Sequence, residues 1–204
     1  MSDSIVKKRS YTIPVLFIIM VIMTTLIIIY CSKYLLSQQE HTTDQGQRLA
    51  EQYNYALVFA GKLHDGADLL LTSKSQAETI RAAKMLGEAN LASSETTSLF
   101  IEATQLKSGQ TKEDASARLR IAMSAIVGPD NQMSTIGEHE GSLTQEEIAQ
   151  LTLVRDGAAQ MQQALNGFRP PSSEDGFRQM VRLGNWVEFA KGASLSLEQL
   201  AAKL

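Results

Sequence analysis

The chain is poor in the residues that staple or punctuate small domains, with one cysteine, Cys31, and four prolines in 204 residues. A lone cysteine forms no intramolecular disulfide, and no Cys-rich zinc set can be built from it. Alanine is missing from Met1 to Leu49. That absence excludes an Ala-x-Ala signal-peptidase site nearby. In "IIYC", ending at Cys31, Tyr30 stands where a lipoprotein signal wants Gly, Ala or Ser. Charge is also missing from Ile13 to Cys31, where Thr24 and Thr25 are the polar interruptions. Their hydroxyls can bond back to the helix's own carbonyls. A hydrocarbon core of roughly 30 Å needs about 20 helical residues, more than a secretory h-region supplies. The run therefore reads as an uncleaved signal anchor. Pro14 falls in its first turn, where a missing N–H costs little, and Tyr11, Tyr30 and Tyr34 sit near its ends, at the depth amphipathic rings favour.

Basic residues beside the run set its direction. Lys7, Lys8 and Arg9 precede it, and only Lys33 follows closely, so the positive-inside rule puts the N-terminus in the cytoplasm. The expected organisation is a cytoplasmic tail over residues 1–10, a transmembrane anchor over 11–34 and an extracytoplasmic domain over 35–204. Any signal would pass to a separate partner, because so short a tail houses no output domain. Beyond the anchor region the chain carries fifteen basic and twenty-one acidic residues. This balance argues against nucleic acid as a partner.

What is abundant is helical periodicity. Leu49, Tyr53, Ala56, Ala60, Leu63, Ala67 and Leu70 recur at alternating spacings of four and three. Ala82, Met85, Ala89, Ala92, Thr96, Leu99, Ala103 and Leu106 repeat the pattern on a second helix, expected over Ser75 to Lys107. Such coiled-coil-like seams mark helices packed lengthwise, and alanine lets backbones approach. "SGQTKED" predicts an end at Gly109 and a new N-cap at Thr111 with Asp114 three residues on. Ala115, Leu119, Ala122 and Ile126 give a third helix that stops at "GPDN". In "LTQEEIAQL", Thr144 is the expected N-cap, with Glu146 and Glu147 suiting the positive end of the dipole. Ile148, Leu151, Val154, Ala158, Met161, Leu165 and Phe168 line the helix that follows. A single last helix is expected to bury Phe177, Met180, Gly184, Val187, Ala190, Leu197 and Ala201, with Gly192 as a candidate break. The fold class is all-α: one transmembrane helix followed by an antiparallel bundle of four or five helices.

Candidate chemistry is sparse. "EHE", Glu138 to Glu140, sets His139 between two carboxylates, and His64 with Asp65 and Asp68 makes a second cluster. Both offer metal ligands, but no HExxH or cysteine set accompanies them, and a solvated acidic loop is the default for the first. No GxSxG elbow points to a nucleophilic serine. Arg118 and Arg120, with Arg169, Arg178 and Arg182 around "RPP", could gather an anion, although pairing with the many glutamates is the plainer use. Tyr53, Tyr55 and Phe59 read as core. No catalytic, cofactor or metal residue is therefore assigned, and no cofactor is expected.

"QYNYALVFAGKLHDGADLLL", with Tyr53 and Leu63-His64-Asp65, and "LTQEE" at Leu143 are similar to the helical segment of spore-germination membrane proteins of the YpeB type. That resemblance implies a scaffold that stabilises a cortex-lytic partner. An anchor feeding long helices also resembles the ectodomains of bacterial chemoreceptors and sensor kinases, which implies ligand sensing through a separate membrane partner. The function expected is a non-enzymatic interaction or scaffold module of a bacterial envelope. Its partners would be the bilayer and an envelope protein, with a homodimer compatible with the seams.

Overall fold

A computed structural model describes residues 12–109, 111–128, 136 and 141–204. Among the described residues there are six helices and no strand: α1 (Thr12–Thr72), α2 (Gln76–Ser108), α3 (Lys112–Val127), α4 (Gln145–Leu165), α5 (Glu174–Leu183) and α6 (Trp186–Ala201). The chain divides into two compact units, Met1–Thr42 and Thr43–Leu204.

In the first unit α1 is apolar and long enough to cross a membrane. Its large side chains are exposed from Val15 to Leu36, as expected of a helix whose neighbours would be lipid. Thr24 and Thr25 donate to the carbonyls of Met20 and Val21 at 2.8 and 2.9 Å, so both hydroxyls are satisfied within the helix. Residues 32–45 contain neither proline nor glycine. Nothing local stops the helix there, and α1 ends at Thr72.

In the second unit all seven residues of the first seam, Leu49 through Leu70, are buried. The seam of α2 is buried at Ala82, Ala89, Ala92, Thr96, Leu99 and Ala103. Met85 is half-buried, and Leu106 is a correction, being 64% exposed near the helix end. Ser75 caps α2 by accepting from the Glu78 N–H, and Gly109, at φ +62°, closes it by donating to the Gln105 carbonyl, the left-handed geometry glycine adopts without a Cβ penalty. Thr111 and Thr144 cap α3 and α4 as the sequence indicates; Thr144 completes a reciprocal capping box with Glu147. The α3 seam is buried throughout, whereas Ile148, at the start of α4, is 36% exposed.

The second correction concerns the last segment, which is two helices. α5 ends at Gly184, at φ +61°, whose N–H donates to Met180, and α6 starts at Trp186. Met180 and Val187 stay buried on either side of the bend, which is why one periodic pattern fits both. Gly192 lies inside α6 without a break; the Ala164 methyl lies 3.5 Å from where its Cβ would be. Among the described residues the second unit thus holds the end of α1 and five more helices, where four or five in all were expected. α6 packs on α2, α3 and α4, and α3 also packs on α2. Trp186, 1% exposed, is the largest fully buried side chain.

Candidate functional site

The candidates found in the sequence are scattered rather than gathered. His64 Nδ1 lies 3.0 Å from Asp65 Oδ1, while Asp68 faces Arg155 of α4 with Oδ1 3.8 Å from Nη1. The three residues thereby have two separate sets of partners, a hydrogen bond within α1 and an ion pair to α4. Among the described residues no group of three or more His, Cys, Asp or Glu side chains could hold a metal. Glu138, His139 and Glu140 lie outside the described residues.

Of the arginines, Arg178 is committed. It pairs with Asp175 and with Glu174 at 3.7 Å, and donates from Nη1 to Thr43 Oγ1 at 3.0 Å, which pins α5 to the start of the second unit. At the neighbouring turn a Cβ on Gly46 would fall 2.2 Å from the Phe177 carbonyl oxygen. Only glycine permits that approach of α1 and α5. Arg120, Arg169 and Arg182 are exposed.

Tyr53 is wholly buried. Its hydroxyl donates to the Leu165 carbonyl at 2.7 Å, at the end of α4, where that oxygen also accepts from the Phe168 N–H at 3.1 Å. The ring meets Phe168 edge-on at 5.1 Å, and Phe168 stacks near Phe189 at 6.4 Å. Burial pushes the phenol well above its ordinary range. Phe59 is likewise buried. Tyr55 is half exposed and borders a polar groove of about 290 Å³ with Arg48, Glu51, Gln52 and Glu95. Gln52 donates to Glu95 across it at 3.2 Å. Glu102, further along α2, is half-buried; burial pushes its carboxyl up, and the charges of Arg48 and Lys112 oppose that.

A larger concavity lies at the corner of α4, α5 and α6. A cleft of about 550 Å³ has Phe168, Val187 and Phe189 on its apolar side and Lys107, Asn185 and Glu188 on its polar side. Lys107 and Glu188 form an ion pair, and the lysine holds the glutamate below its usual range. An adjoining cleft of about 190 Å³, lined by Arg169, Pro171, Met180 and Leu183 among others, shares Phe168 and Asn185 with it. Gly167 makes the corner: a Cβ there would lie 2.2 Å from the Phe189 ring. Neither Trp186, Asn185 nor the Lys107–Glu188 pair is apparent from the sequence; the legible signal was "RPP".

This arrangement offers apolar surface and single charges. The hydrogen bond of His64 is to Asp65, and the hydroxyls of Thr111 and Thr144 that donate to carboxylates belong to helix caps. Comparison of the chain with protein-family models, with curated proteins and with solved structures finds no match.

Proposed function

We propose that the chain is a single-pass membrane protein with its N-terminus in the cytoplasm, whose second unit is an extracytoplasmic antiparallel bundle serving as a non-enzymatic interaction and scaffold module of the cell envelope. The observation that carries this reading is the contrast within α1: large apolar side chains exposed from Val15 to Leu36, and a fully buried seam from Leu49 to Leu70. The first needs lipid around it, and the second is self-sufficient. Orientation rests on Lys7, Lys8 and Arg9. The antiparallel arrangement is supported by the order of cross-helix contacts. Gly66 meets Leu86, Lys62 pairs with Glu88 at 2.7 Å, and Gln52 bonds Glu95, so positions on α2 rise as those on α1 fall. A scaffold of the YpeB type fits this organisation.

A second reading, ligand sensing through a separate membrane partner, is favoured by the cleft of about 550 Å³ at Phe168 and Asn185, which falls in the size range of ligand pockets, roughly 300–1,000 Å³. Topology is the first test. In a Cys31→Ser background, a cysteine placed at Leu91, 83% exposed on α2, should react with a membrane-impermeant maleimide added to intact cells. Labelling only after lysis, or a mature chain beginning between residues 31 and 50, would overturn the reading.

A further inference from the structure

We infer that the α5 corner of the second unit is a contact surface for an anionic bilayer, with Leu183 as the apolar element and Arg169 and Arg182 as the headgroup-binding cations. The inference rests on the membrane-anchor reading. Chain connectivity supplies the first step. Six residues separate Leu36, the end of the exposed apolar run, from Thr43, so even a fully extended chain holds Thr43 within about 25 Å of that end. The second step is the tie between Thr43 and α5. Arg178 donates to Thr43 Oγ1, and the Gly46 backbone lies against Phe177. α5 is therefore kept with the part of the unit that cannot travel far from the bilayer.

The third step is the chemistry presented there. Leu183 is 63% exposed, next to the exposed Arg182 in the last turn of α5, and it shares a cleft with the exposed Arg169 and the buried Met180. Glu174 and Asp175, the acidic residues of α5, are engaged by Arg178, and Glu188 by Lys107. Among the described residues the side chains of Arg169 and Arg182 have no hydrogen bond or ion pair. In a unit where acidic residues outnumber basic ones, this corner keeps uncompensated positive charge beside an exposed leucine. That is the complement of anionic headgroups over an acyl region. The helix carries too little apolar surface to bind a membrane alone; the tether supplies the local concentration, as in any two-part attachment.

The test uses the full chain with Cys31→Ser, reconstituted into lipid nanodiscs. An environment-sensitive fluorophore is placed on Leu183→Cys, and on Leu91→Cys as a second position. Phosphatidylcholine discs are compared with discs containing phosphatidylglycerol. The Leu183 probe should shift to the blue in the anionic discs only, lose the shift in 1 M salt, where screening acts within about 3 Å, and lose about fivefold in contact equilibrium for each of Arg169→Gln and Arg182→Gln. A chain that co-migrates with the discs but leaves the Leu183 probe unshifted overturns the contact alone, and leaves the corner to a protein partner. Equal shifts at Leu91 and Leu183 also overturn it, as general adhesion. A chain that does not co-migrate with discs overturns both the contact and the anchor.

Discussion

Two stretches of α1, residues 15–36 and residues 49–70, are equally long and behave in opposite ways. In the first, large apolar side chains point outward all round the helix; in the second, seven side chains at three- and four-residue spacing are buried. The second stretch has more charge and fewer large apolar residues, yet it is the one that makes the core. Hydrophobicity without a period gives a helix no preferred face, so its apolar surface must be covered on all sides, by lipid in a membrane span or by protein in a core. Polar residues interrupting the second stretch are what leave it a face to pack.

The largest effect that sharpens this contrast is expected from paired truncations. Leu63→Ala on the seam, 1% exposed, should cost the second unit about 2–5 kcal/mol, the usual range for a buried leucine that leaves a cavity. Ile22→Ala, at a position 53% exposed in the first stretch, should leave the unfolding of that unit unchanged. Denaturant titration of the full chain in detergent, followed by circular dichroism, measures both. If Ile22→Ala destabilised as much as Leu63→Ala, the two stretches would belong to one cooperative core and the contrast would fail.

A smaller effect is expected at Tyr53, where the seam carries a polar atom. Tyr53→Phe removes one of two donors to the Leu165 carbonyl, which keeps the Phe168 N–H at 3.1 Å, so the cost should be that of one hydrogen bond, about 0.5–1.5 kcal/mol. The pH dependence gives a separate signature. Burial raises the folded phenol above its ordinary value of 10.0, so above pH 10 the unfolded chain sheds that proton while the folded chain keeps it. The stability contributed is complete below pH 10 and is lost as pH rises beyond it. The wild type should therefore lose its advantage over Tyr53→Phe in alkaline solution, and a constant difference up to pH 11 would show that the hydroxyl is not buried.

The α1 seam was legible because its leucines, alanines and tyrosine carry the period themselves. The bend at Gly184 was not. Glycines at 61, 66, 87, 157, 184 and 192 all stand inside periodic segments, and a glycine costs a helix about the same wherever it sits. Of these six, Gly184 alone turns left-handed. Gly66 and Gly157 instead face Leu86 and Leu200, whose side chains would lie 2.8 and 2.9 Å from an added Cβ. Which role each takes depends on neighbours distant in sequence. The same holds for charge. Asp68 and Arg155, or Lys107 and Glu188, are 87 and 81 positions apart, so the pairing that dissolves the His64 cluster and closes one side of the large cleft is set by the packing of the helices. The sequence pattern located the caps at Thr111, Thr144 and Gly109 because capping is a local interaction.

The smallest effect tests where a seam stops. Leu99 and Leu106 occupy equivalent places in the α2 pattern, seven residues apart, yet Leu99 is wholly buried and Leu106 is 64% exposed. The helix closes at Gly109, so Leu106 stands in its last turn, where the period continues without a neighbour to pack on. Leu99→Ala should cost about 2–5 kcal/mol and Leu106→Ala under about 0.5 kcal/mol, both read by denaturant unfolding. The difference between two leucines of one seam then measures burial rather than sequence pattern. If Leu106→Ala proved as costly as Leu99→Ala, something covers the end of α2 in the intact protein, and a second copy of the chain or an envelope partner would be the first place to look. A pair of small, equal effects would instead mean that the α2 seam contributes little to the core, leaving α1 and α6 to hold it.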